Sequence, residues 1–226
     1  MKIKPILFST PMVKAIIEGR KTQTRRIIKS RHESGMFRVS KTLEGIVTGV
    51  TSLDWDERPK NNCCNDIKPI ANVGDILWVR ETFTEHGKAP FLYKSSISDA
   101  ESKAFKSLLL KWKPSIFMPK EAARIFLKIT NVRVERLQDI SVDDAMAEGI
   151  NPLLMSGLQL AIQGQLYQNY LDKDKLFNDG LPPYWSFNSL WCKINGAVSW
   201  ESNPWVWVYE FEKVEKPANF LRESEV

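Results

Sequence analysis

A chain of 226 residues with 43% hydrophobic residues, eight tryptophans, 11 glycines and 12 prolines has the apolar material for a packed core and many turns, which excludes collagen, coiled coil and disorder. No apolar run approaches the roughly 18 residues that span a bilayer, and Met1 to Thr10 lacks the apolar stretch of a secretory signal, so a soluble, cytoplasmic protein without a membrane partner is expected. The net charge is +5, but nine basic residues face only Glu18 and Glu33 between Lys14 and Lys41, so this segment carries +7 and the remainder −2. Such a local excess points to a phosphate-bearing or polyanionic partner, with a solvated face as the bland alternative.

In chain order, Ile6-Leu7-Phe8 reads as a short buried strand. A helix follows, with Thr10 as N-cap, Pro11 in the first turn, an apolar stripe of Val13, Ile16 and Ile17, and a stop at Gly19. Lys21 to Ile28 favours an extended strand. Met36 to Lys41 and Gly45 to Val50 predict a hairpin, and the polar, turn-rich stretch 51–72 an insertion loop. After a turn at Val73-Gly74-Asp75, the apolar run Ile76 to Arg80 predicts a strand buried on both faces, and Phe91 to Lys94 another strand. Residues 95–122 are ambiguous, with one short helix ending before Pro114.

Arg124 to Leu137 reads as one long strand bulged near Asn131. Ser141, with Asp144 three residues on, caps a helix that turns Val142, Ala145 and Met146 inward and ends at Gly149. Residues 151–180 read as a helical elaboration, Pro182-Pro183 opens a helix containing Trp185, Leu190 and Trp191, and Trp205 to Phe211 forms a closing strand in which Trp205 and Trp207 share a face. Strands separated by short helices without regular alternation predict an α+β fold: one domain over residues 1–226, a small mixed β barrel with peripheral helices and insertions at about 51–72 and 151–180.

Three cysteines, Cys63, Cys64 and Cys192, two of them adjacent, predict no disulfide framework. With only His32 and His86, and no Cys-x-x-Cys or His-x-x-x-His spacing, neither a metal nor a cofactor is expected. A general base is then a tuned lysine or carboxylate rather than an imidazole.

The octet Gly19 to Arg26 gathers an amine, two hydroxyls and three guanidiniums after a helix stop. Gly19 permits a tight turn, so Lys21 need not obey strand alternation and can reach the same pocket as Thr24. That suits an activated threonine nucleophile or an anion cradle; a basic turn with structural threonines is the alternative. Gly19-x-Lys21-x-x-Thr24-x-Arg26 resembles the signature of the ASCH superfamily, small barrels similar to PUA RNA-binding domains, whose usual motif has Glu where this chain has Thr24. Gly74-Asp75-x-Leu77-Trp78-Val79-Arg80-Glu81, the long strand, the Ser141 to Gly149 helix and the closing strand resemble those of prophage-type ASCH proteins. The likeness covers most of the chain outside 51–72 and 151–180.

Within that superfamily the chain resembles N4-acetylcytidine amidohydrolases, much shorter enzymes with Lys and Thr at the positions of Lys21 and Thr24. The resemblance implies a catalytic triad of Lys21, Thr24 and Glu148. In amide hydrolysis Thr24 Oγ1 would attack the acyl carbonyl. Lys21 would act as base, for which its pKa must fall by about 3 from a reference near 10.4, or it would stay charged against the oxyanion while Glu148 handles the proton. Arg26, Trp78, Arg80 and Arg124 are candidate substrate contacts; core packing for Trp78 and an ordinary ion pair for Arg124 are the alternatives. The partner is then a small-molecule nucleoside or RNA, the other readings being a non-catalytic RNA-binding module and a ribonuclease.

Overall fold

The computed structural model describes residues 1–29, 36–43, 45–53, 67–86, 89–98, 101, 111–171 and 180–221. The first half of the chain runs β1 (Ile3–Leu7), α1 (Thr10–Ile17), β2 (Gln23–Ile27), β3 (Met36–Lys41), β4 (Val47–Leu53), β5 (Ile76–Arg80), β6 (Phe83–His86) and β7 (Ala89–Tyr93). The second runs β8 (Phe126–Arg136), α2 (Val142–Ala147), α3 (Gly157–Gln163), α4 (Pro183–Asn195), α5 (Ala197–Glu201) and β9 (Trp205–Val214). The fold is α+β, mostly sheet with a few helices.

Five strands form the central sheet in the order β1-β5-β8-β9-β2, with β3-β4 and β6-β7 as separate hairpins. Only β1 and β5 run parallel. The end strands β1 and β2 do not pair with each other, so no closed barrel forms among the described residues. Helix α1 connects the two edges in sequence, and the Arg26 side chain reaches across, its Nη2 donating to Leu7 O at 3.0 Å.

The alternation of β9 divides the interior in two. Trp207, Tyr209 and Phe211 enter the main core with Leu77, Leu127 and Ile129, whereas Val206 and Val208 pack on the opposite side with Phe187, Trp191 and Trp200 of α4 and α5. The long strand predicted from Arg124 appears as β8, with its register shift between Ile129 and Asn131, where the bulge was expected. Trp205 is partly buried against the main core beside Trp207.

Several local expectations shift. Ser9 rather than Thr10 occupies the N-cap of α1, because Thr10 already has a helical backbone and Pro11 lies within the first turn. Val142 is 55% exposed: it stands first in α2, and Ala145 and Met146 make the inward contacts. Trp185 is also 55% exposed, on the outer side of α4. Strand β4 reaches Leu53 and Val50 bridges to Ile67, so part of the expected 51–72 loop is sheet. The expected strand at Phe91 to Lys94 is β7, paired with a β6 that had carried no signal. Cys63, Cys64 and most of the short helix expected before Pro114 lie outside the described residues.

Helix α2 positions the site, and its start depends on one hydroxyl: Ser141 Oγ accepts from Asp144 N at 3.1 Å. Ser141→Ala is expected to cost about 1 kcal/mol, read as a lower urea midpoint with an unchanged slope.

Candidate active site

The turn after α1 ends at Gly19 with φ +77° and delivers Lys21 to the end of α2. The backbone fixes the junction. Lys21 N donates to Ala15 O at 3.0 Å, Thr22 N donates to Ala147 O at 2.9 Å, and Lys21 and Glu148 form a single antiparallel bridge. Gly149 follows at φ +83°, and a Cβ there would lie 2.7 Å from Lys21 Cβ and 3.0 Å from Ala15 Cβ. Close backbone approach and left-handed geometry both require glycine at this point.

The Lys21 side chain is fully buried, and its Nζ donates to Glu148 Oε2 and to Glu148 O, both at 2.8 Å. Burial drives the Lys21 pKa below its ordinary value; the Glu148 charge and hydrogen bond oppose this, and Arg26 and Arg25 reinforce it. Glu148, the C-cap of α2, is itself buried, and its Oε1 accepts from Arg25 Nη1 at 3.0 Å. Arg25, also fully buried, pairs through Nη2 with Glu135 at 2.5 Å and Asp144 at 3.2 Å and lies over the Phe187 ring. Arg133 fixes Asp144 from the other side at 2.7 Å. Lys21, Glu148 and Arg25 are therefore one buried chain of charge-assisted bonds, each member held on more than one side.

A cavity of about 300 Å³ opens over the free edge of β2. Thr24, Arg25, Arg26 and Glu148 line it, with Met12 of α1 on one flank and Phe187, Leu190, Trp191 and Ile194 of α4 on the other. Register explains the mixture: Thr24 and Arg26 stand opposite Tyr209 and Trp207 on the main-core face, and Arg25 stands opposite Val208 on the α4 face. An edge strand exposes both sets to one opening. Thr24 is 3% exposed, and its hydroxyl makes no hydrogen bond to another described residue without being sealed off, so it is open to the cavity. Arg26 donates to Leu7 O, lies 5.4 Å over the Phe8 ring and has no carboxylate in salt-bridge range among the described residues. Burial lowers its pKa, opposed by Glu148 and Tyr209.

Of the residues expected at the site, Lys21 and Glu148 are bonded, and Thr24 and Arg26 share a cavity with Glu148. The direct contact between the Lys21 amine and the Thr24 hydroxyl is not made. The Lys21 amine is occupied by Glu148, and Lys21 is not among the residues that line the cavity.

The other three candidates lie elsewhere. Trp78 is buried in a small cluster against Phe126 and Phe220. Arg80 donates to Ile116 O. Arg124 pairs with buried Glu81 at 2.8 Å, bonds Ser95 Oγ and covers the Tyr93 ring: the ion-pair alternative. Arg25 and the α4 wall were not singled out from the sequence. The available signals were the position of Arg25 inside the octet and the apolar spacing 187, 190, 191, 194.

Among the described residues no group of three or more His, Cys, Asp or Glu is placed to hold a metal ion, and no helix is long and apolar enough to cross a membrane. Compared with known proteins, the chain matches no family model, no curated protein and no solved structure.

Proposed function

We propose that the chain is an amidohydrolase that removes an acyl group from a modified nucleoside such as N4-acetylcytidine, on an ASCH-type relative of the PUA barrel. The observation that carries this reading is the buried Lys21–Glu148–Arg25 chain, whose carboxylate opens, together with an unbonded Thr24 hydroxyl, onto one cavity. The barrel assignment draws support from the approach of the two sheet edges at Arg26 and Leu7.

In this reading Thr24 Oγ1 attacks the acyl carbonyl and its proton passes to Glu148. The tetrahedral oxyanion is met by Arg26, which lines the cavity and has no carboxylate in salt-bridge range among the described residues. The C–N bond breaks, Glu148 returns the proton to the departing nitrogen, and the threonine ester is hydrolysed by water to free acid and Thr24. Lys21 stands behind Glu148, 2.8 Å away, and holds the carboxylate in place through that bond.

A nucleic-acid-holding role would draw on the basic segment from Lys14 to Lys41. Lys21 and Arg25 are spent inside the protein, however, and Arg20 is bound to Glu18 and to the carbonyls of Gly149 and Ile150. That leaves fewer cations for phosphates than the count suggests, and so disfavours both the RNA-binding and the ribonuclease readings.

The test is release of acetate and cytidine from N4-acetylcytidine by the purified protein. Turnover is expected, falling at least about 10³-fold in Thr24→Ala with folding intact, and changing little as salt rises because the substrate is uncharged. No turnover by the folded protein, or full turnover by Thr24→Ala, overturns the assignment.

A further inference from the structure

The cavity has two unlike flanks, and the difference bears on the acyl group. Helix α4 turns Phe187, Leu190, Trp191 and Ile194 toward it, at spacings of three, four and seven that place them on one helical face. Phe187 and Trp191 are anchored in the second core, but the strip continues outward to Ile194, 53% exposed, with Ile27 across the mouth at 37%. A helical apolar stripe is ordinarily covered along its length. Among the described residues its outer half faces the cavity, with Lys29 and Asn195 beside it.

The four residues of this strip offer no free hydrogen-bonding edge; the polar groups beside it are Lys29 and Asn195, whose Nδ2 donates to Trp191 O at 3.4 Å. The only polar side-chain atom among its four residues, Trp191 Nε1, donates to Ser199 Oγ at 3.2 Å. A flipped base is held by hydrogen bonds to its edge as well as by stacking, so the wall is poorly made for cytosine and well made for alkyl or aryl carbon. An acetyl group has one methyl to place against it. At about 30 Å³ per water in the liquid, the volume of about 300 Å³ leaves room for a much longer chain beyond a carbonyl seated at Thr24.

We infer that the acyl group removed is an apolar chain longer than acetyl, laid along α4 from Thr24 toward Ile194, with the nucleoside on the Arg26 and Met12 side. This rests on the reading of Thr24 and Glu148 as the reaction centre. The reaction is unchanged: one amide and one water give one carboxylic acid and one amine.

The experiment compares N4-acetyl-, N4-butanoyl- and N4-hexanoylcytidine in two measurements on the full chain. The first is kcat/KM for the wild type. The second is equilibrium binding to Thr24→Ala, followed by tryptophan fluorescence. Both are expected to rise roughly fourfold per added methylene, until the strip is covered. Ile194→Ala, at a position exposed enough to spare the fold, is expected to lower the hexanoyl-to-acetyl ratio several-fold in both. A flat or falling series in both measurements overturns the inference, while turnover of N4-acetylcytidine would leave the hydrolase reading standing. Graded binding without turnover of any compound does the reverse: the apolar acyl site stands and the hydrolase reading falls. Absence of both binding and turnover overturns both.

Discussion

Glu148→Ala is expected to lower the unfolding free energy by about 3 kcal/mol, because it strips the acceptor from two fully buried cations at once. The loss falls unevenly. Arg25 keeps Glu135 and Asp144, whereas Lys21, among the described residues, keeps a hydrogen bond to the main-chain oxygen of residue 148 and the Phe8 ring but no carboxylate. Lys21 therefore answers by losing its proton. In the wild type its pKa already lies below the ordinary 10.5, with Glu148 the chief force opposing desolvation, and removing that carboxylate lowers it further. Between the folded value and 10.5 the unfolded chain binds more protons than the folded one, so this group's contribution to stability rises with pH across that window. The window opens at a lower pH in the variant. The urea midpoints of wild type and Glu148→Ala should therefore differ most below the pH at which the variant's Lys21 deprotonates and draw together as pH rises, until the wild-type Lys21 also deprotonates. A gap independent of pH would mean that Lys21 does not carry the effect. Glu148→Gln, which keeps an acceptor of similar shape but no charge, should fall between the two while losing acyl release as completely as Glu148→Ala.

Much of the scaffold was legible because its signals are local. Proline in the first turn and the glycine after it frame α1, Ser141 and Gly149 frame α2, and the alternating apolar residues of β8 and β9 announce long strands. Glu148 could be picked out by resemblance for a related reason: it sits at a helix end marked by glycine. What stayed hidden depends on contacts across the chain. Arg20, Arg25 and Arg26 are three equivalent cations in sequence. In the fold, one binds carbonyl oxygens at the end of α2, one is locked among Glu135, Asp144 and Glu148, and one is left facing the cavity. Strand register at a free edge sorts them, and no window of sequence contains that edge. Arg124 and Trp78 were drawn away from the site for a similar reason: Glu81, 43 residues from Arg124, is buried and pairs with that surface cation, and Phe220, far along the chain, covers the indole. The β6-β7 hairpin was missed because Phe83 to His86 is too short and too polar for alternation to show.

Gly149→Ala should be the most damaging single methyl group added to the junction, and comparison with Gly19→Ala shows why. Both glycines have positive φ, +83° and +77°, and both variants pay the left-handed penalty of about 1–2 kcal/mol. At Gly19 a Cβ meets nothing within 4 Å. At Gly149 it meets Lys21 Cβ at 2.7 Å, Ala15 Cβ at 3.0 Å and Lys21 Cα at 3.3 Å, and none of these is the tip of a flexible side chain. The end of α2 must therefore move away from α1 and the turn before β2, adding roughly 1–3 kcal/mol of overpacking. The move also stretches the bond that closes the site, since Glu148 is the adjacent residue and its 2.8 Å contact with Lys21 spans the same gap. Two readouts should follow together: a urea midpoint well below that of Gly19→Ala, and loss of acyl release under conditions where Gly149→Ala remains folded and Gly19→Ala remains active. Equal behaviour of the two variants would show that the junction yields without disturbing Glu148. The tight packing of Gly149 on Lys21 would then be incidental to the placement of the carboxylate.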